Sequence, residues 1–307
     1  MNMMSKKILF FGSGPVAAAS LEKLIKHTDI SLVVTKRKAP RFKGTPPVEA
    51  VVNEHGMKLS FADNKTELEE LILGMDEKFD LGIVLDYGVV ITEKTIQSFP
   101  LGIINSHFSL LPEWRGADPI TFSLLSGQVE TGVSLMQIDS GLDTGKLFET
   151  SKISISTIDT NPSLTEKLIN LSDGLLQKNI PLILNETATK FSQDTNQLTT
   201  FSKKIMKEDG LLNLNKPASV LEREIRAFKG WPRSNMKLGE LDVIIEEATI
   251  SDISVALGKI TIDEQDHIII GTVKGSLKIN KLMPLGKNVM SSKDFLNGYT
   301  NRLSLED

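Results

Sequence analysis

The chain contains no cysteine. Neither a disulfide framework nor a thiolate metal site can be built from it, and a reducing cytoplasm is the compartment that suits it. No apolar run approaches the ~20 residues that a membrane-spanning helix needs. The apolar stretch behind the opening MNMMSKK is too short for a secretory signal and leads straight into a glycine turn. Strong charge of either sign is missing too. There are 35 Lys and Arg against 39 Asp and Glu, a net −4 that does not mark a nucleic-acid binder. There is no internal repeat and no extended low-complexity tract. What remains is an ordinary globular composition, 40% hydrophobic and 24% charged, in 307 residues. That length favours about two domains, each with its own core, off the membrane and monomeric.

The charge is unevenly spread. Lys36, Arg37, Lys38, Arg41 and Lys43 place five cations within eight positions, with no acid between them. Residues 203–307 carry 16 basic against 15 acidic residues, so the small net charge falls on the front of the chain. A basic loop on an acidic body can steer a polyanion locally; a solvated lysine loop has the same composition.

The first 184 residues alternate strand and helix patterns. Apolar runs at 7–11, 30–34, 58–61, 79–85 and 101–104 read as strands, and 15–26, 48–55, 66–73 and 92–98 as helices. This rhythm predicts an α/β fold, a Rossmann-like doubly wound and mainly parallel sheet. Strands at 131–139 and 147–155 and an amphipathic helix over 162–184 complete it. Residues 186–206 lose all periodicity and are rich in Thr, Ser, Asn, Gln and Lys, which is the composition of a linker. The domains are therefore expected at 1–188 and 207–307, joined by 189–206. After a short helix at 220–228, strands at 241–249, 259–262, 267–273 and 276–283 predict a small OB-like β-barrel.

Two stretches invite a chemical reading. Gly12-x-Gly14-x-x-Ala17, between the first strand and helix, satisfies the loose dinucleotide fingerprint. The second strand, however, ends in Thr35-Lys36-Arg37 rather than near an acid, which leaves NADP open and a plain tight turn preferred. The other stretch is FPLGIINSHFSLLPEWRGADP at 99–119, together with GLDTG at 141–145. Its strand ends in Asn105-Ser106-His107, so Asn105 and His107 lie on one face at a carboxyl end, where open α/β sheets keep their ligands. Asp143 between two glycines can be presented from a tight loop. A structural histidine and a plain turn would read the same way by spacing alone.

The motif N-S-H-x-S-L-L-P-x-x-R-G, followed by G-L-D-T-G, resembles the folate-dependent formyltransferases, in the branch acting on methionyl initiator tRNA. The likeness runs from KILFFGSGP to LMPLGKNVMSSKDFLNG. It implies the formyltransferase fold, 10-formyltetrahydrofolate as formyl donor without a metal, and initiator methionyl-tRNA as acceptor. By the same resemblance Asn105, His107 and Asp143 are catalytic, and Ser109-Leu110-Leu111-Pro112 contacts the folate. The basic loop (Lys36, Arg37, Arg41, Lys43) corresponds to the element that enters the tRNA acceptor stem. Lys203, Lys204 and Lys207 are further phosphate candidates. The chain departs from the family in a shorter basic loop, in the nearly neutral barrel, in Phe108 and Asp118, and in Asp86. This last stands where a small or apolar residue is expected beside the folate pocket, so it either points to solvent or touches the pterin.

Formyl transfer to an amine passes through a tetrahedral oxyanion. It needs a donor for that oxygen, a group to manage the amine's proton, and exclusion of water. An amide, an imidazole and a carboxylate meet the first two without any cysteine or serine nucleophile. The alternatives keep the chemistry and change the acceptor (a nucleotide-sugar amine, glycinamide ribonucleotide, or water), or replace catalysis with a dinucleotide- or RNA-binding role.

Overall fold

The computed structural model describes residues 6–40, 42–194 and 196–303; Arg41 of the basic loop lies outside them. The chain divides into two compact units. The first holds the described residues up to Pro119 with Glu130–Ser154 and Thr165–Lys203; the second holds Ile120–Val129, Ile155–Leu164 and the described residues from Lys204 on.

The first unit begins with β1 (Ile8–Phe11), α1 (Pro15–Leu24), β2 (Leu32–Thr35), α2 (Pro47–His55), β3 (Leu59–Phe61), α3 (Lys65–Gly74), β4 (Leu81–Val84), α4 (Glu93–Gln97) and β5 (Ile103–His107). Helix starts are chemically marked. Pro15 and Pro47 take first helical positions, and the Asn64 side chain accepts from the Thr66 and Glu67 amides. Next in the chain come β6 (Arg115–Gly116), α5 (Pro119–Ser126), β7 (Glu130–Gln137), β8 (Leu147–Ser154), α6 (Asn161–Leu184) and β9 (Phe201–Ser202), of which α5 beyond Pro119 and α6 up to Leu164 fall in the second unit.

Seven strands form one sheet in the order β3-β2-β1-β4-β5-β7-β8. The first five are parallel, and β7 and β8 are antiparallel. Every residue of β1 and β2 is buried, as parallel strands covered on both faces require. Because β2 and β4 leave β1 on opposite sides, the crevice at the carboxyl ends of β1 and β4 is the topological switch point. The Rossmann-like prediction holds. The polar 186–206 stretch falls within the first unit up to Lys203 and within the second from Lys204 on. Phe191 exchanges main-chain hydrogen bonds with Leu147, and β9 pairs with β6. Such pairing needs no buried side chains, which is why no periodic apolar signal marks it.

In the second unit α7 (Ala218–Ala227) is followed by β10 (Asn235–Leu238), β11 (Leu241–Ser251), β12 (Ile260–Ile262), β13 (Ile268–Gly271), β14 (Ser276–Pro284), β15 (Met290–Ser291) and α8 (Ser292–Tyr299). The strands form an antiparallel, OB-like sheet in the order β10-β11-β14-β13-β12, with β15 on β14. Register breaks between Ile245 and Ala248 bend β11. Leu221, Ile225, Leu238, Ile268, Ile279 and Phe295 share its core. Two strands exceed the four that the sequence marks: β10 follows Gly-Trp-Pro-Arg-Ser and reads as loop, and β15 is only two residues long.

Behind β5, the buried Ser106 hydroxyl meets Ser172 of α6 at 2.7 Å. Ser106→Ala strands the Ser172 hydroxyl and should cost about 1–3 kcal/mol in urea denaturation. The double Ser106→Ala/Ser172→Ala change should recover part of that loss, whereas additive losses would show that the pair is not coupled.

Candidate active site

Strand alternation in β5 points Asn105 and His107 to one face of the sheet, with Ser106 on the other. Asn105 is partly exposed, and its side-chain amide makes no hydrogen bond among the described residues. His107 is 5% exposed. Its Nε2 lies 3.0 Å from the Trp114 carbonyl, an acceptor only, so that nitrogen carries the proton. Nδ1 then faces Asp143 Oδ2 at 3.8 Å, too long for a direct hydrogen bond but close enough for the charges to interact.

Asp143 is held from two sides. Its Oδ2 accepts the Gly116 amide at 2.8 Å. Its own backbone sits at φ 51°, a left-handed conformation that costs a non-glycine residue about 1 kcal/mol or more. The Gly116 amide that reaches it belongs to β6, which Ser202 and Thr200 hold in place: the Arg115 amide donates to the Thr200 carbonyl and the Trp114 amide to the Thr200 hydroxyl. Asn105 and His107 of β5 and the sequence-distant Asp143 thus share one end of the sheet, and the structure brings the imidazole and the carboxylate together.

Ser109 to Pro112 form the floor beneath this end. The Ser109 hydroxyl donates to the Glu113 carbonyl, and the Ser134 hydroxyl bridges the Ser109 carbonyl and the Leu111 amide. Leu111 packs on Met136 and Leu147. Most of this segment is therefore buried, and Leu110 is its more exposed member. In the basic loop, Lys36 donates to the Gly88 carbonyl, while Arg37 is clasped by Asp63 and Glu67. Those bonds, Glu67 first, raise the Arg37 pKa further above its ordinary value. Lys43 is exposed and makes no ion pair among the described residues; Lys203, Lys204 and Lys207 are exposed as well.

The glycine turn takes a form that a fingerprint does not reveal. The Ser13 and Gly14 amides donate to the Asp86 carbonyl, and the Asp86 carboxylate lies across the amino terminus of α1, toward Val16 and Ala17. A Cβ on Gly14 would come within 1.9 Å of Asp86 Oδ2. The second glycine is thus needed for the close approach of a carboxylate of the chain itself. At the switch point, where a dinucleotide fold binds pyrophosphate on the helix terminus, this protein places its own anion. Asp86 is solvent-accessible at the mouth of that crevice. Although the residue keeps an exposed edge, the protein packed around its carboxyl group desolvates it and pushes it up to about 6, with Asp118 adding to the rise, against the lowering effect of the Ala17 and Val16 amides and Lys36.

Residues that the sequence did not single out complete the site. They are the Trp114 carbonyl, the Gly116 amide, and Gln193, whose amide touches the GLDTG loop. Backbone partners carry no sequence signal, and Gln193 sits in a polar tract where one more glutamine is unremarkable.

Comparison with known proteins fits this geometry. Residues 6–180 match the family described as Formyl transferase and residues 204–300 its C-terminal domain. The chain is 33% identical over 304 residues to a methionyl-tRNA formyltransferase of Nitrosococcus oceani, covering 95% of this chain and 93% of that one. A Geobacter metallireducens methionyl-tRNA formyltransferase is 32% identical, with 96% of each chain covered. Among solved structures, an N-formyltransferase of Helicobacter canadensis in complex with folinic acid and dTDP-3-aminofucose superposes with a TM-score of 0.68 at 21% identity. The match covers 90% of this chain and 98% of that one. At that identity it speaks for the fold alone.

The raised Asp86 pKa fixes the sign of a pH effect. Between the ordinary carboxyl value of 3.8 and about 6, the folded protein keeps a proton that the unfolded chain has released. Stability from this group is therefore full below that window and is lost as pH rises through it. Asp86→Asn removes the titration and keeps an acceptor at α1. Its stability relative to the parent should improve by about 1 kcal/mol from pH 4 to pH 7.5, after allowance for solvent screening. Denaturant titrations across that range measure it, and a pH-independent difference would contradict the assignment.

Proposed function

This chain belongs to the formyltransferase family, and on that premise we propose that it moves the formyl group of 10-formyltetrahydrofolate onto the α-amino group of methionyl initiator tRNA. The product is N-formylmethionyl-tRNA for translation initiation in the cytoplasm. The observation that carries this reading is the likeness to methionyl-tRNA formyltransferases along nearly the full length of both chains. It extends through the C-terminal domain, matched at residues 204–300.

The geometry supports the following residue roles. The unpartnered amide of Asn105 donates to the formyl oxygen as it gains negative charge. His107, with its Nε2 proton committed to Trp114, has Nδ1 left to take the proton that the attacking amine sheds. Asp143, 3.8 Å from that nitrogen, then balances the imidazolium. The N–C bond forms as the C–N bond to the folate breaks, and the folate nitrogen leaves with a proton. Ser109 to Pro112 set the wall against which the donor lies, largely through backbone and apolar surface.

Residues 1–188 carry the chemistry and 207–307 grip the tRNA, while 189–206 joins them and also braces the catalytic loops. The loop at Lys36, Arg37, Arg41 and Lys43 meets the acceptor stem. Among the described cations of the loop, phosphate contact falls chiefly on the exposed Lys43, since Arg37 is already clasped by two acids.

The first test offers 10-formyltetrahydrofolate with charged initiator tRNA, a nucleotide-sugar amine and buffer alone in parallel. Formyl product on the tRNA only is expected; product only on the sugar amine, or free formate without an amine, would overturn the acceptor assignment. The second concerns the residues. His107→Ala and Asp143→Asn should each lower kcat by about 10²–10⁴-fold, and Asn105→Ala by about 10²–10³-fold, in protein that remains folded. Turnover near that of the parent in any one of them would remove that residue from the mechanism.

A further inference from the structure

Gln193 is 8% exposed and comes from the polar stretch between α6 and β9. Its side chain is almost fully used. Nε2 donates to two carbonyls of the GLDTG loop, Asp143 O at 2.8 Å and Gly145 O at 3.0 Å. Oε1 accepts from Arg115 Nη2 at 2.7 Å. The residue after Arg115, Gly116, is the one whose amide holds the Asp143 carboxylate. The contacts close into a ring: from Arg115 to Gly116, across to the Asp143 carboxylate, through Asp143 to its carbonyl, and back through Gln193 to Arg115.

Only a primary amide of this length fits. Two hydrogens on one nitrogen serve two carbonyls, and the oxygen meets a guanidinium. A glutamate would keep the contact with Arg115 and turn an acceptor toward two acceptors. An asparagine is one methylene too short. The ring also spans a strained point, because Asp143 holds φ 51° and its carbonyl is one that Gln193 pins. Position matters here, since a displacement of about 1 Å at a reacting centre can cost about 10²-fold in rate.

We propose that Gln193 is a positioning residue that sets the Asp143 carboxylate against His107 by tying the GLDTG loop to the Arg115-Gly116 turn. This rests on the assignment of Asp143 to the catalytic site. It predicts that Gln193→Glu and Gln193→Met each lower kcat by about 10–100-fold while KM for the formyl donor changes less than about threefold. In an Asp143→Asn background, the same changes should lower kcat by less than about twofold further, because the carboxylate they position is already gone.

The experiment is this four-way comparison of kcat and KM, with denaturation midpoints recorded for every variant so that rates refer to folded protein. Gln193→Met tests the clamp without a buried acid, should Gln193→Glu fail to fold. Parent-like kcat in either folded variant, or losses that multiply with Asp143→Asn, would overturn the inference while leaving the site standing. Full activity in Asp143→Asn alone would overturn the site assignment and this inference with it.

Discussion

Two irregular loops must be held in fixed relation at the carboxyl edge of a sheet, and the hydrogen bonds that do this are almost all to main-chain atoms. A buried imidazole is useful only if its tautomer and direction are fixed, and here a carbonyl, that of Trp114, does so. The carboxylate opposite it is fixed by an amide, that of Gly116. Neither partner is a side chain, so the site depends on the path of the backbone through residues 109–116 and 141–145. That path in turn depends on Ser134 beneath one loop and on Thr200 and Gln193 across it. The side chains proposed as catalytic are the last links of a scaffold that places peptide groups.

The sheet offers two places for a ligand. The switch point at β1 and β4 is the one that the topology favours, yet the Asp86 carboxylate lies there against Gly14. The other place, at the end of β5, has Asn105 and the buried His107 on one face, and the Asn105 amide has no partner among the described residues. A single acidic residue of the chain thus takes the position at which a dinucleotide fold binds phosphate.

The parallel core was legible because buried strands are continuous apolar runs and helices show their period; both signals come from side chains meeting a core. Asn105 and His107 were legible for the opposite reason, as polar residues closing an apolar strand. Asp143 stood out between its glycines. Less could be read where the backbone does the work. The antiparallel direction of β7 and β8, the two-residue strands β6 and β9, and β10 after Gly230-Trp231-Pro232 leave little or no periodic trace. Arg37 read as a free cation because the two acids that clasp it lie 26 and 30 positions away. Gly14 fitted a nucleotide fingerprint because a carboxylate and a phosphate ask the same room of a glycine, whereas Gly12 is needed beside Phe10, Ala17 and the Leu85 carbonyl.

The brace over the active site comes late in the chain. Synthesis delivers Asn105, His107 and Asp143 well before Gln193, Thr200 and Ser202, so a nascent chain already holds the reactive groups while the turn and loop that aim them remain untied. The turn and the loop can be tied together only once residues 193–202 have been made. A product cut short by a premature stop in the α6 segment would have most of the Rossmann-like core, and its reactive side chains would still lack their alignment.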